Sequence, residues 1–384
     1  MFNLNPLHHL NNLLILLRLR RASIWEPPTI LDLLLASPLQ YLVTTIYHFI
    51  LLLRGHPFHP PKNKPSIRMV SLALGGTDEG NGLKIPSSVA TGFIPKGDLL
   101  IVLLGDSHPS RSPSPNGVIS GAISGPRSKA GSSNRSADEK DDRHEEAKRL
   151  MDWLESPDLR FRHKVVVDDG RLVTRKTGQS GSSKTEIHHS NGDGNRGPDS
   201  GVQVLRDEMV TLEFRGARRL NIYVRGSDSV SSRHDKETDS WKGRIPDETD
   251  VLVTHMAPKH HQDIGLGSEG LLEEVWRVKP RLHIFGDHHQ TKSGNGGRRE
   301  AVYFDQLQRE YEAFVAKEPK GIFRDLIMTS RWFDALRLMR YGIGCLLWKW
   351  VMAGPGSNNG GLVVGVSAYN GKEKTLKKTV VVDL

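Results

Sequence analysis

The chain has 384 residues, 37% of them hydrophobic, with 38 glycines and 21 prolines: enough to bury a sizeable core in one large domain or two, with substantial loops. Its net charge of +9 is spread among acidic residues, without a basic helix or an aromatic-interleaved patch, so no nucleic-acid partner is expected. A single cysteine, Cys345, excludes an intrachain disulfide and a cysteine-based zinc cage, and the 17 histidines are the better metal signal.

In chain order, Leu10–Leu19 is leucine-rich and ends among Arg18, Arg20 and Arg21. After Pro27 and Pro28, the run from Leu33 to Leu53 carries no formal charge and stops at Arg54. A helix needs roughly 17–25 residues to cross a bilayer, so this run is about long enough. Pro38, Gln40, Thr44, Thr45 and His48 interrupt it, leaving a single-pass anchor, an interfacial helix and an apolar hairpin packed on the domain as rival readings. Residues 1–54 are therefore assigned to membrane attachment, spanning once or lying in the interface. A cleaved signal peptide fits poorly, because the uncharged run starts far from Met1 and lacks a small-residue cleavage site.

Residues 55–66 form a stiff proline-rich spacer. The domain assigned to 67–384 opens with two buried strands, Ile67–Leu74 and Asp98–Leu104, the second running straight into Gly105 and Asp106. Residues 107–143 and 175–201 are Ser/Gly-rich polar insertions predicted to be disordered, and His188, His189 and Asp193 there read as solvated linker. Glu145–Leu154 is predicted as a helix with Ala147, Leu150, Met151 and Leu154 on one face, and Lys164–Val167 as a strand. Met209–Phe214 and Leu220–Val224 read as a hairpin about the Arg215–Arg219 turn. Ala301–Lys317 is predicted helical. Ile322–Met352 mixes Trp332, Trp348 and Trp350 with Arg331, Arg337, Arg340 and Lys349, as suits a bilayer interface or a helix packed on the domain. Gly360–Val366 and Thr379–Leu384 are apolar runs able to close a sheet.

One stretch organises the rest. Val251–Val253 and Leu282–Phe285 are short apolar runs, each followed by a histidine-bearing turn, at His255 and at His288–His289. Between them Leu271, Leu272, Val275 and Trp276 have the spacing of one helical face. Strand, loop, helix, strand, loop is a βα unit that delivers imidazoles to one rim, where sites are commonly built.

With its VTHMAP turn, its WRVKPRL run from Trp276 to Leu282 and its FGDHH end from Phe285 to His289, the stretch resembles the calcineurin-like metallophosphoesterases, especially a membrane-anchored fungal branch. That resemblance implies an α/β metallo-dependent phosphatase fold, a central β-sandwich flanked by helices with the site at the strand ends. It also implies two-metal hydrolysis of a phosphoester substrate, in which paired divalent cations activate water and stabilise phosphoryl charge. Mn, Fe or Zn suits a mixed set of carboxylate and imidazole ligands.

Carried across residue by residue, Asp106 takes the place of the metal-bridging carboxylate, His255 that of the later histidine and His289 that of the last one. Asp287 stands where the preceding histidine is usual, and Asp169 is a substitute ligand beside the lost G-N-H motif, whose positions hold Gly170 and Arg171. Arg171 can bind a phosphate but cannot donate a proton at neutral pH. The D-x-H motif is also lost: Leu74 and Gly76 occupy it, with Asp78 nearby. Two expectations follow. One is metal-dependent hydrolysis of a phosphomonoester or phosphodiester with weakened activity; the other is an inactive relative that serves as a membrane-attached binding or scaffold protein.

Overall fold

In the computed structural model the described residues are 29–55, 65–74, 94–104, 145, 147–168, 202–226, 241–261, 267–287, 299–317, 325, 327, 329–352, 360–369 and 379–384. The strands are β1 (Arg68–Leu74), β2 (Leu99–Leu104), β3 (His163–Val167), β4 (Val202–Leu205), β5 (Glu208–Phe214), β6 (Arg218–Arg225), β7 (Val251–Thr254), β8 (Leu282–Asp287), β9 (Arg299–Tyr303), β10 (Gly360–Tyr369) and β11 (Val380–Asp383). The helices are α1 (Ile30–Ala36), α2 (Pro38–Arg54), α3 (Glu269–Val278), α4 (Gln306–Val315) and α5 (Thr329–Met352), with a further helical segment over 147–155.

The strand order is β4-β3-β2-β1-β10-β8-β7-β6-β5, with β11 on β1 and β9 on β10. These make two mixed sheets, joined where Ala73 and Leu74 of β1 pair in parallel with Ala368 and Tyr369 of β10. β2, with the sequence LLIVLL, is buried at every position, as is β7, and such runs belong in parallel sheets covered on both faces. The alternation of side chains sorts each strand between two layers. Met69 and Ala73 of β1, Ile101 and Leu103 of β2, Val253 of β7 and Ile284 of β8 enter one shared core between the sheets. Val70, Leu72 and Leu74 turn to the outer face of the first sheet, under Leu150, Trp153 and Leu154 of the 147–155 helix. Leu252 and Phe285 turn to the outer face of the second, under Leu271 and Val275 of α3. The expected α/β class is thus present as two mixed sheets with helices on their outer faces.

Local chemistry fixes the helix ends. Ser268 caps α3 by accepting from the Leu271 N–H at 3.2 Å, and Lys279 closes it in the left-handed region before Pro280. Asp305 caps α4 through the Gln308 N–H at 3.0 Å. This cap corrects the sequence expectation of a helix from Ala301, because Ala301–Tyr303 belong to β9, antiparallel to β10. The hairpin of β5 and β6 forms as expected, with Phe214 opposite Arg218.

The Leu33–Leu53 run is likewise not one helix. Ser37 is extended and caps α2 by accepting from the Gln40 N–H at 3.1 Å, with Pro38 in the first turn. A proline lacks the donor that a continuing helix requires and collides with the preceding turn, so the run breaks into α1 and α2. Among the described residues no helix is long and apolar enough to cross a membrane. Instead Leu39, Val43, Tyr47 and Ile50 of α2 pack with Leu307 and Phe314 of α4 and Ala335 and Leu338 of α5.

Close backbone approach marks one position. A Cβ on Gly361, in β10, would lie 2.5 Å from the Pro280 carbonyl oxygen and 3.2 Å from the Phe304 ring. Neither a carbonyl nor a packed ring yields cheaply, so Gly361→Ala is expected to destabilise the protein by about 1–3 kcal/mol, read from urea unfolding midpoints.

Candidate functional site

Because β1, β2, β3 and β4 are parallel to one another, as are β6, β7, β8 and β10, and because β1 is parallel to β10, all their C-terminal ends meet one rim of the sandwich. Register shows how closely: Leu74 pairs with Leu104 and with Tyr369, Asp287 with Ser367, and Thr254 with Phe285. The segments expected to bear the ligands leave from these ends. The one carrying Asp106 follows β2, that carrying Asp169 and Arg171 follows β3, that carrying His255 follows β7, and that carrying His289 follows β8. Asp106, Asp169, Arg171 and His289 lie outside the described residues, as do Gly76, Asp78 and Gly170; Asp287 is described as the last residue of β8.

His255 is placed directly. It is half-buried at the end of β7. A Cβ on the buried Gly286, near the end of β8, would be in ordinary contact with Leu103 Cδ2 at 3.6 Å and His255 Nδ1 at 3.9 Å. The ends of β2, β7 and β8 therefore converge on Gly286 from both sheets, with the His255 imidazole at the junction. Leu74 takes no part in that junction. It is fully buried beneath the 147–155 helix, packed as a core residue.

One histidine absent from the sequence expectations braces this turn, and a second anchors the loop beyond it. The Thr254 hydroxyl donates to the Met256 carbonyl at 2.7 Å, closing the turn that carries His255, and lies 2.8 Å from His283 Nε2. With the hydroxyl hydrogen committed, His283 donates from Nε2, which assigns its tautomer. Burial, then the charge of His261, push the His283 pKa down to about 3, so the ring is neutral. Its Nδ1 has no hydrogen-bond partner among the described residues. His261, in the loop after β7, is buried and held from both sides: Nδ1 is 3.0 Å from Glu300 of β9 and Nε2 is 2.9 Å from Glu312 of α4. Burial opposes its charge, but hydrogen bonds to Glu300 and Glu312 and their negative charges outweigh that and raise its pKa to about 10. Glu312 also accepts from Trp276 Nε1 at 2.6 Å and from Gln308 Nε2 at 3.0 Å. No sequence signal announces this cluster, since Glu300 and Glu312 lie 39 and 51 residues beyond His261.

Among the described residues no group of three or more His, Cys, Asp or Glu is placed to hold a metal ion. The sequence of the segments that follow the strand ends nevertheless offers donor types that suit one. Asp106, Asp169 and Asp287 with His255 and His289 make a mixed carboxylate and imidazole set, while Leu74 contributes no ligand where the resembled pattern has aspartate.

No family model matches the chain. Over 121 residues, 31% of this chain, it is 36% identical to "Probable rhamnogalacturonate lyase C" of Emericella nidulans. Over 96 residues, 23% of the chain, it is 33% identical to "UPF0046 protein K07C11.7" of Caenorhabditis elegans. The chain spans only 10% and 32% of the length of these relatives. Among solved structures, TT1561 of Thermus thermophilus aligns with 62% of this chain and 85% of its own, at 10% identity and a TM-score of 0.28.

The two histidines set opposite pH limits. His261, raised from 6.5 to about 10, contributes stability that is complete below pH 6.5 and lost as pH rises through about 10. His283, lowered from 6.5 to about 3, must stay neutral, so stability falls as pH drops below 6.5, where the unfolded chain binds the extra proton. Chemical unfolding across pH should show loss on both sides. His283→Gln should flatten the acid side, and His261→Ala, which strands two carboxylates, should cost about 3–5 kcal/mol near neutrality.

Proposed function

We propose that the chain is a metallophosphoesterase-family protein that hydrolyses a phosphomonoester or phosphodiester with weakened activity. The observation that carries this reading is the common rim. The segments holding Asp106, Asp169, His255, Asp287 and His289 all leave the parallel strands at the same end, and His255 sits at the junction of both sheets over Gly286. A metallo-dependent phosphatase fold is the finer form of the mixed two-sheet architecture, and that rim is where such a fold would hold its ions.

In this reading Asp106, His255, Asp287 and His289 would hold the divalent cations, with Asp169 as a further carboxylate ligand. When bound, two such ions supply an activated water and Lewis-acid stabilisation of phosphoryl charge. The protein's own contributions are simpler. Arg171 holds a phosphate oxygen but keeps its proton. Thr254 and His283 fix the turn of His255, and a neutral, buried His283 leaves that orientation independent of ordinary pH. With no proton donor in the G-N-H position, leaving groups of low basicity are favoured.

A specific observation supports the second reading, an inactive binding or scaffold protein. Leu74 is a fully buried core residue where a ligand is required, so one ion loses part of its shell. Metal analysis of the purified full chain, paired with hydrolysis of nitrophenyl phosphate mono- and diesters in added Mn²⁺, separates the two. Bound metal and slow turnover, both reduced about tenfold or more by His255→Ala, are expected. A folded chain with neither metal nor turnover would leave the scaffold reading.

A further inference from the structure

We propose that α1, α2 and α5 form one docking face for an anionic lipid bilayer, bound at the interface without crossing it. The proposal is independent of the chemistry at the rim. α5 buries one stripe, Arg331, Ala335, Leu338 and Gly342, against α2 and α4, and its remaining surface is strongly apolar. Phe333 is 70% exposed, Trp348 65% and Trp350 82%, and on the adjoining α2 Leu52 is 77% exposed. Leu336, Ile343 and Leu347 continue the strip along α5, and Leu34 and Phe49 extend it over α1 and α2. A 24-residue helix is about 36 Å long at 1.5 Å per residue, so the strip is a contiguous apolar surface of the kind that marks a protein or membrane contact.

Its chemistry favours lipid over a protein partner. Tryptophans stand near both ends of α5, Trp332 at one and Trp348 and Trp350 at the other, the side chains that settle among headgroups. Charge follows the same logic. Of the basic residues of α5, Arg331 is buried against Asp325 and Arg337 pairs with Glu310, which leaves Arg340 and Lys349, while its one acid, Asp334, is paired by Lys317. Beside Trp348 lies a cleft of ≈ 480 Å³ lined by Arg340, Tyr341, Lys349 and Arg54, the last paired with Asp305, and among the described residues no carboxylate forms part of its walls. Lys349 donates to the carbonyls of Leu53 and Arg54 at 2.8 and 2.6 Å, using two of its three ammonium hydrogens. Arg340 lies over the Tyr341 ring. A basic, aromatic cleft opening beside an apolar strip fits a phosphate headgroup whose acyl chains continue onto the strip.

The test is flotation of the full chain with phosphatidylcholine vesicles, with and without phosphatidylserine, alongside tryptophan quenching by brominated lipid. The unaltered chain is expected to float with the anionic vesicles and to be quenched by bromines placed just below the headgroups. The triple variant Phe333→Ser, Trp348→Ser, Trp350→Ser, all at exposed positions, is expected to keep its thermal midpoint and lose vesicle binding about tenfold or more. Arg340→Gln is expected to narrow the preference for phosphatidylserine. A folded chain that stays at the bottom of the gradient with both vesicle types would overturn the proposal. So would a triple variant that floats like the unaltered chain, which would move attachment to residues 1–28. A dimer that the triple variant dissociates, without vesicle binding, would assign the face to a second copy instead.

Discussion

The structure rests on apolar strands buried on both faces and therefore compelled to be parallel. A run such as LLIVLL in β2 leaves no polar side for water, so such faces must be covered by apolar side chains, which the 147–155 helix between β2 and β3 and α3 between β7 and β8 supply. Parallel order then brings β1–β4, β6–β8 and β10 to an end at the same rim, with the antiparallel β5, β9 and β11 running the other way. The short β1–β10 pairing, at Ala73–Ala368 and Leu74–Tyr369, joins the two sheets at that end and not elsewhere. The convergence of Leu103, His255 and Gly286 is a consequence of that seam.

The helical layer is tied to the sandwich by polar contacts rather than by a second large apolar interface. His261 bridges β9 and α4 through Glu300 and Glu312, and Glu312 reaches Trp276 at the end of α3. Around it, Tyr47 bonds Gln308, Arg54 pairs with Asp305, and Tyr303 bonds the Gly55 carbonyl. A buried charge with two partners costs desolvation and repays it only when both carboxylates are correctly placed, which fixes where the helices sit more than how strongly they bind. α2 and α5 can thereby present apolar surface outward without collapsing onto the core.

The rim and the helical face divide the molecule's chemistry. At the rim, the retained His255 is braced from below by Thr254 and His283, while the position of one expected ligand has become core at Leu74. A buried leucine there adds to the apolar packing of the first sheet's outer layer. On the helical side, the exposed tryptophans and leucines have no such packing role.

Most of the strands, though not β4 or β9, were legible in the sequence because their information is local: unbroken apolar runs and turn residues, as was α3 from its period. The candidate rim was legible to the extent that motifs end strands, which placed His255 and the last residue of β8 at strand ends. Local pattern misled where a cap overrides periodicity, at Asp305 and at Ser37–Pro38, since one side-chain oxygen or one missing N–H outweighs a continuous apolar stretch. Only the tertiary structure decided what depends on distant partners. It made His261 a buried cation and His283 a neutral donor, through Glu300, Glu312 and Thr254, groups whose nearness no spacing in the chain encodes. It also decided which apolar residues of α2 and α5 are core and which face outward, because the helical period states only that a face exists, and packing selects the one that is covered.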